Sequence, residues 1–342
     1  MIDFRYHIVS IVAVFLALAI GIVFGSTALR GPLLTTLNNT SASWKSAYEN
    51  ANSQLGTANQ LAGADDAFIQ SIEGSYLSGK LTGQRIVIFT EPGESTAVVS
   101  GITKAAQDAG ATVVAQVSLT SKFFDTSDST EAALSTINSS IAQTSGIQLD
   151  SGVADYQQAT AQVLASQLLV KATAGTSAAS TAGWTASEAS TALADYQQND
   201  YLTVTGSPMT EPGTLAVVVT TNNTLADGTS DPLAQVLAPF VSGLDLTTST
   251  VVAGAAATSG SGSPMALLRQ SGSAITSKVS TIDDADTTRG QIAVVEALYS
   301  EINGGTAGSW GINSNDNYPI ITATTPAAPT PSATATKKKS GK

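Results

Sequence analysis

The sequence predicts an α/β protein: one N-terminal transmembrane helix, a coiled-coil stalk, then a mainly parallel Rossmann-like α/β domain. Three observations carry this. An uncharged apolar run spans Ile8 to Leu29, a heptad pattern of apolar and small residues spans Leu34 to Tyr76, and short β-branched runs then alternate with helical stretches.

As a helix rising about 1.5 Å per residue, the run from Ile8 to Leu29 is roughly 33 Å long, enough to cross a bilayer core. Its Ile, Val, Leu and Phe residues favour insertion by roughly 0.3–0.6 kcal/mol each, which outweighs the cost of Ser10 and Gly21. The competing reading is a cleaved secretory signal, since Ser26-Thr27-Ala28 offers small residues for a peptidase. The run exceeds the usual length of a signal core, and the leading Asp3, Arg5 and His7 are barely basic, so an uncleaved anchor is preferred. The nearby cations Arg5, Arg30 and Lys45 discriminate orientation poorly. The chain beyond the span is poor in charge, rich in Ser, Thr, Ala and Gln, and free of cysteine, as in many exported bacterial domains. The expectation is a single-pass plasma-membrane protein with residues 1–7 as a cytoplasmic hook and the main domain extracytoplasmic.

Within the span, Ala13, Ala17, Gly21 and Gly25 recur every fourth residue and would line one helix face for close packing against a second copy. The alternative is that Gly and Ala are simply common in membrane helices. Residues 30–79 read as the stalk. Its seam is Leu34, Leu37, Ser41, Trp44, Tyr48, Ala51, Leu55, Ala58, Ala62, Asp65, Ile69, Ile72 and Tyr76, with only Ser41 and Asp65 polar. The alternative, an amphipathic helix packed on its own domain, lacks a core to lie on so close to the membrane. The span and seam together predict a homodimer.

Residues 80–320 read as the α/β domain. Arg85 to Thr90 is a strand, Ser95 to Ala109 a helix closed by Gly110, and Thr112 to Ser118 the next strand. A second set comes later in the chain: the strand Leu215 to Thr220, a helix opened by Asp231-Pro232 and closed by Gly243, and the strand Thr250 to Ala253. Ser263-Pro264 opens another helix, Lys278 to Ile282 is a fifth strand, and Thr287 to Asn303 a final helix. A helical insertion is expected near 130–200. The segment Asp155-Tyr156-Gln157-Gln158 recurs as Asp195-Tyr196-Gln197-Gln198, which biased composition explains without a structural repeat. Residues 321–342, rich in Thr, Ala and Pro and ending in lysines, cannot bury a core and are expected to be disordered.

The net charge of −11 argues against nucleic-acid binding. One histidine and no cysteine leave no Ser-His-Asp or Cys-His nucleophile in the outer domain, and no G-x-G-x-x-G or Walker sequence follows a strand. The reading is therefore no enzyme, no catalytic residues and no cofactor. The one cluster to weigh for a metal is Asp283, Asp284 and Asp286, at the carboxyl end of the fifth strand, where ligands gather in open α/β sheets. Asp284-x-Asp286-x-Thr288 matches the phosphatase pattern D-x-D-x-T but follows the last strand instead of the first. The preferred reading is that Asp286 caps the final helix and its neighbours favour the same dipole.

The opening Met1-Ile2-Asp3-Phe4-Arg5-Tyr6-His7, running through Val9-Ser10-Ile11 into Ala17-Leu18-Ala19-Ile20-Gly21, closely resembles the actinobacterial copper transport protein B family (MctB). The stretch Ile282-Asp283-Asp284-Ala285-Asp286-Thr287, with Gly290-Gln291, resembles it too, whereas the leucine-poor stalk and the C-terminal tail depart from it. The resemblance implies copper transport or homeostasis, in some members by a channel. For the SteB-like members it implies an envelope protein of cell division working with a cytoplasmic SteA-like partner. Copper prefers Cys, Met or His, and this chain has no cysteine, one histidine and three methionines. A single apolar helix encloses no pore, and strands interleaved with helices do not make an outer-membrane barrel. The sequence reading therefore favours a non-catalytic dimeric scaffold linking a cytoplasmic partner to an envelope or division protein, with copper transport as the alternative. The hook Asp3, Phe4, Arg5, Tyr6 and His7 is the expected cytoplasmic contact; interfacial anchoring by aromatic residues is its alternative.

Overall fold

A computed structural model describes residues 4–149, 155–172, 183–221, 232–255, 263–272, 275 and 277–312, with backbone alone for 26–34, 232 and 234. Asp3, Asp231 and the tail 321–342 lie outside the described residues. The chain divides into two compact units, Met1–Ala67 and Phe68–Lys342.

Helix α1 runs Phe4–Leu77; its residues up to Ala67 belong to the first unit and the rest to the second. Phe4–Gly25 is long and apolar enough to cross a membrane, and none of it is buried within the chain. Its exposed Ile, Val, Leu and Phe side chains suit a lipid surround and not a protein core.

The second unit is a seven-stranded sheet in the order β3-β2-β1-β4-β5-β6-β7. The strands are β1 (Arg85–Thr90), β2 (Thr112–Leu119), β3 (Leu202–Thr205), β4 (Leu215–Thr220), β5 (Thr250–Gly254), β6 (Ser280–Ile282) and β7 (Ser309–Trp310). All neighbours pair in parallel except β3, which runs antiparallel to β2 at one edge. Both faces of β1 are covered: Ile86 and Ile88 enter one core, Val87 and Phe89 the other. A strand buried on both sides is apolar along its middle, which is why residues 86–89 read as an unbroken β-branched and aromatic run.

Over one face lie α2 (Thr96–Asp108), α8 (Thr288–Ile302) and Leu77 from the end of α1. The other face carries α3 (Asp128–Ser145), α4 (Tyr156–Leu168), α5 (Ala186–Gln198), α6 (Pro232–Asp245) and α7 (Pro264–Gln270). Phe240 of α6 meets Phe89 and Phe123 edge-on, each at 5.5 Å between ring centres. Side chains cap five of these helices: Ser95 accepts from Ala97, Asp155 from Gln157 and Gln158, Thr185 from Glu188, Ser263 from Ala266, and Thr287 from Gly290. The two Asp-Tyr-Gln-Gln segments do different work, since Asp155 opens α4 whereas Asp195 lies near the end of α5.

Several boundaries differ from the sequence reading. Gly243 does not close its helix; α6 continues to Asp245. A Cβ at Gly243 would fall 2.6 Å from Ala161 Cβ and Gln158 O, so the glycine lets α4 approach. The fifth predicted strand, Lys278 to Ile282, shortens to Ser280–Ile282. Strands β3 and β7 have no counterpart in that reading.

Candidate functional site

The carboxyl ends of β1, β4, β5 and β6 share one edge of the sheet, the edge at which open α/β folds bind ligands. Here β1 turns through Glu91 to Glu94 into α2, with Gly93 at φ +84°. Glu91 is buried, and its Oε2 accepts from the Thr221 amide at 2.9 Å, tying the β1 turn to the end of β4. The Thr90 hydroxyl donates to Ser118 Oγ at 3.0 Å. Burial pushes the Glu94 carboxyl up to about 7; the Ser95 amide opposes this and the charge of Asp286 adds to it. A cleft of about 370 Å³ opens between this turn, the first turns of α2, and β2.

The three aspartates sit along the same edge and diverge. Asp283 is fully buried: Oδ2 pairs with Arg269 Nη1 at 2.9 Å and Oδ1 accepts from the Ile312 amide at 2.6 Å. Arg269 also donates to the Thr281 hydroxyl at 2.9 Å and the Trp310 carbonyl at 3.2 Å, joining α7 to β6 and β7. Asp284 is equally buried but faces Arg289 Nε, 3.0 Å from its Oδ2. Asp286 is exposed. Two of the three carboxylates are thus matched to separate guanidinium groups. Among the described residues no three or more His, Cys, Asp or Glu side chains come together as metal ligands. The residue that caps α8 is Thr287, whose hydroxyl accepts from the Gly290 amide at 3.1 Å, and not Asp286. A Cβ on Gly290 would lie 2.0 Å from Asp284 O, so only glycine permits this tight entry.

The residues expected to make contacts lie on α1. Phe4, Arg5, Tyr6 and His7 of the hook are exposed, and Asp3 is outside the described residues. Ala13, Ala17, Gly21 and Gly25 recur on the helix, and a Cβ at either glycine would meet nothing within 4 Å. Seam positions Leu37, Trp44, Tyr48 and Leu55 are exposed, as are Ile72 and Tyr76, with Ile69 half-buried; of Leu34 only the backbone is described.

The ion pairs at the other end of α1 have no counterpart in the sequence reading. Lys104 of α2 reaches Glu73 at 2.6 Å and Asp108 at 2.7 Å, and Lys80 reaches Glu296 of α8 at 2.7 Å. Nothing local announces the Glu73 and Glu296 partners, which are 31 and 216 residues away in the numbering.

Comparison with known proteins gives a consistent answer along the chain. Residues 1–321 match the family described as "Copper transport outer membrane protein, MctB". The proteins called copper transporter MctB in Mycobacterium bovis and Mycobacterium tuberculosis are each 30% identical over 318 residues, covering 91% of this chain and 96% of theirs. The Mycobacterium leprae protein of the same name is 29% identical over 320 residues, again 91% of this chain and 96% of its own. With a match that runs from the apolar helix through the α/β unit, the chain belongs to the MctB copper transport family.

Proposed function

We propose that this protein serves copper transport or homeostasis as a membrane-tethered, non-enzymatic component, with copper as cargo of a larger assembly. The family match over residues 1–321 is the observation that carries this reading. It moves copper handling ahead of the division scaffold, which no relative's name supports.

The donor chemistry supports a role through protein contacts. Copper in either oxidation state selects thiolate, thioether or imidazole ligands. Met209 and Met265 are both buried in the core, and the histidine lies at the start of the apolar span. The span Phe4–Gly25 has no polar face with which one copy would line a pore. In this proposal the amino terminus is cytoplasmic and the α/β unit lies outside the plasma membrane. Two copies pair through the Ala13, Ala17, Gly21 and Gly25 face and through a coiled coil along the Leu34 to Tyr76 seam. The hook Asp3 to His7 contacts a cytoplasmic partner.

The test is a clean gene deletion scored for cell copper under copper load and for septum shape. Abnormal copper content with normal septa, reversed by the full-length gene, is the expected result. Misshapen septa with normal copper would overturn the proposal in favour of the division scaffold.

A further inference from the structure

Helix α2 and the β2–β3 pair present uncharged polar side chains to the same trough. On α2, Thr96, Ser100, Thr103 and Gln107 succeed one another at intervals of four, three and four residues, which is one helical stripe. On the strands, Gln116 lies opposite Thr205 and Ser118 opposite Thr203. Cross-strand partners share a face, and the intervening Val117, Leu119, Leu202 and Val204 pack into or against the core on the other side. Two clefts, of about 420 and 370 Å³, lie along this junction and share Gln116 and Thr205.

The walls of the trough are nearly free of charge, in keeping with a chain that is only 12% charged. Here the charged Lys104 of α2 is held by Glu73 and Asp108, and neither cleft is lined by it. Charge enters only at the β1 end, as Glu91 and Glu94. Among the described residues, the side chains of Ser100, Gln107, Gln116 and Thr205 form no hydrogen bond with the protein. The trough thus offers amide and hydroxyl groups able both to donate and to accept, along an eight-residue strand about 26 Å long.

We propose that the trough between α2 and the β2–β3 edge binds a neutral oligosaccharide. A polyhydroxylated chain matches walls that donate and accept without charge, and Glu94 at one end offers a further hydrogen-bonding carboxyl. The clefts have the volume of ordinary ligand pockets. An apolar occupant would leave the amides of Gln107 and Gln116 unpaired and is disfavoured for that reason. This site is separate from the copper role and does not depend on it.

The experiment is calorimetric titration of the full chain in an amine-oxide detergent, which carries no sugar headgroup. The probes are maltohexaose and chitohexaose as neutral hexasaccharides, hexagalacturonate as the acidic one, and a Ser/Thr hexapeptide as an extended polar peptide. Binding of at least one neutral hexasaccharide is expected, weakened about tenfold or more by Gln116→Leu and by Ser100→Val with unchanged melting temperature; a tenfold loss is about 1.4 kcal/mol. Ser100 is exposed, so its variant keeps the test valid should Gln116→Leu fold poorly. No heat with either neutral sugar overturns the proposal. So does equal binding of hexagalacturonate, preference for the peptide, or affinity untouched by both variants.

Discussion

Lys80 Nζ lies 2.7 Å from Glu296 Oε1, with the Tyr76 ring 4.5 Å and the Tyr299 ring 5.2 Å from the same nitrogen. The pair is nearly dry, with side-chain exposures of 17% and 3%. Desolvation, together with the nearby Glu296, pushes the Tyr76 phenol up to about 12. Removing one partner of a buried pair leaves the other charge without compensation, a loss of about 3–5 kcal/mol, whereas replacing both with apolar groups costs far less. Lys80→Met should therefore lower the unfolding free energy of the full chain in detergent by about 3 kcal/mol, and Lys80→Met with Glu296→Met should restore most of it. Urea melts read by tryptophan fluorescence decide the matter; a double variant as weak as the single one would contradict the pairing.

Glu301, at the far end of α8, gives the molecule a pH dependence of known direction. Burial pushes its carboxyl up to about 8; donation from Ser280, at 2.5 Å from the hydroxyl and 3.2 Å from the amide, opposes the rise, and the charge of Asp245 adds to it. Asp245 is itself raised to about 6, by burial against the pull of Lys278. A carboxyl that keeps its proton longer in the folded chain contributes stability that is full below the ordinary value of 4.5 and is lost as pH rises to about 8. The melting temperature should fall across that window. In Glu301→Gln the fall should shrink, most of all between about pH 5.5 and 7 where the unfolded carboxyl is ionised and the folded one is not, and parallel curves for the two proteins would refute the assignment.

Gly243 is a packing residue. Gly243→Ala should force α4 and α6 apart and lower stability by about 1–3 kcal/mol, the usual range for overfilling a packed contact. Gly74→Ala, on α1 where a Cβ meets nothing within 4 Å, is the matching control and should be neutral or slightly stabilising. Equal unfolding midpoints for both variants would return Gly243 to the role of a helix stop.

Gly21 and Gly25 have open space around them, so a large side chain at either is tolerated by an isolated helix and harmful only to a close helix pair. Gly21→Leu and Gly25→Leu together should lower the cross-linked dimer fraction in membranes at least severalfold while leaving insertion intact. Undiminished cross-linking would remove this face from the proposed interface.

The range of each force decides how far the fold is legible in the sequence. Arg85–Thr90 and Leu215–Thr220 are legible because strands buried on both faces carry an uninterrupted apolar middle, residues 86–89 and 215–219. Ser95 and Ser263 are legible because capping is local. Strand β3 is not: Leu202 and Val204 give only two apolar beats before Gly206, too few to establish a period. The cap expected at Asp286 falls one residue later, at Thr287, since Asp and Thr are both good caps and adjacent. At the sheet edge the aspartates are legible as a cluster but their partners are not. Arg269 lies 14 residues upstream on another helix, and no spacing rule connects it to Asp283.

That pairing decides how the aspartates respond to metal. Asp283 has both oxygens engaged, by Arg269 and by the Ile312 amide, and Gly311 leaves room for this because a Cβ there would lie 1.7 Å from Asp283 Oδ1. Were the cluster a cation site, Mg²⁺ or Cu²⁺ would raise the melting temperature by mass action and a chelator would lower it. With the carboxylates matched to Arg269 and Arg289, neither addition should move it. Arg269→Met should instead destabilise by about 3–5 kcal/mol, since it strands a fully buried carboxylate. Asp283→Asn should cost less, because an amide keeps an acceptor for Ile312 and carries no charge. A metal-dependent shift in the wild-type melt that Asp283→Asn abolishes would reverse this reading and restore the sheet edge as a cation site.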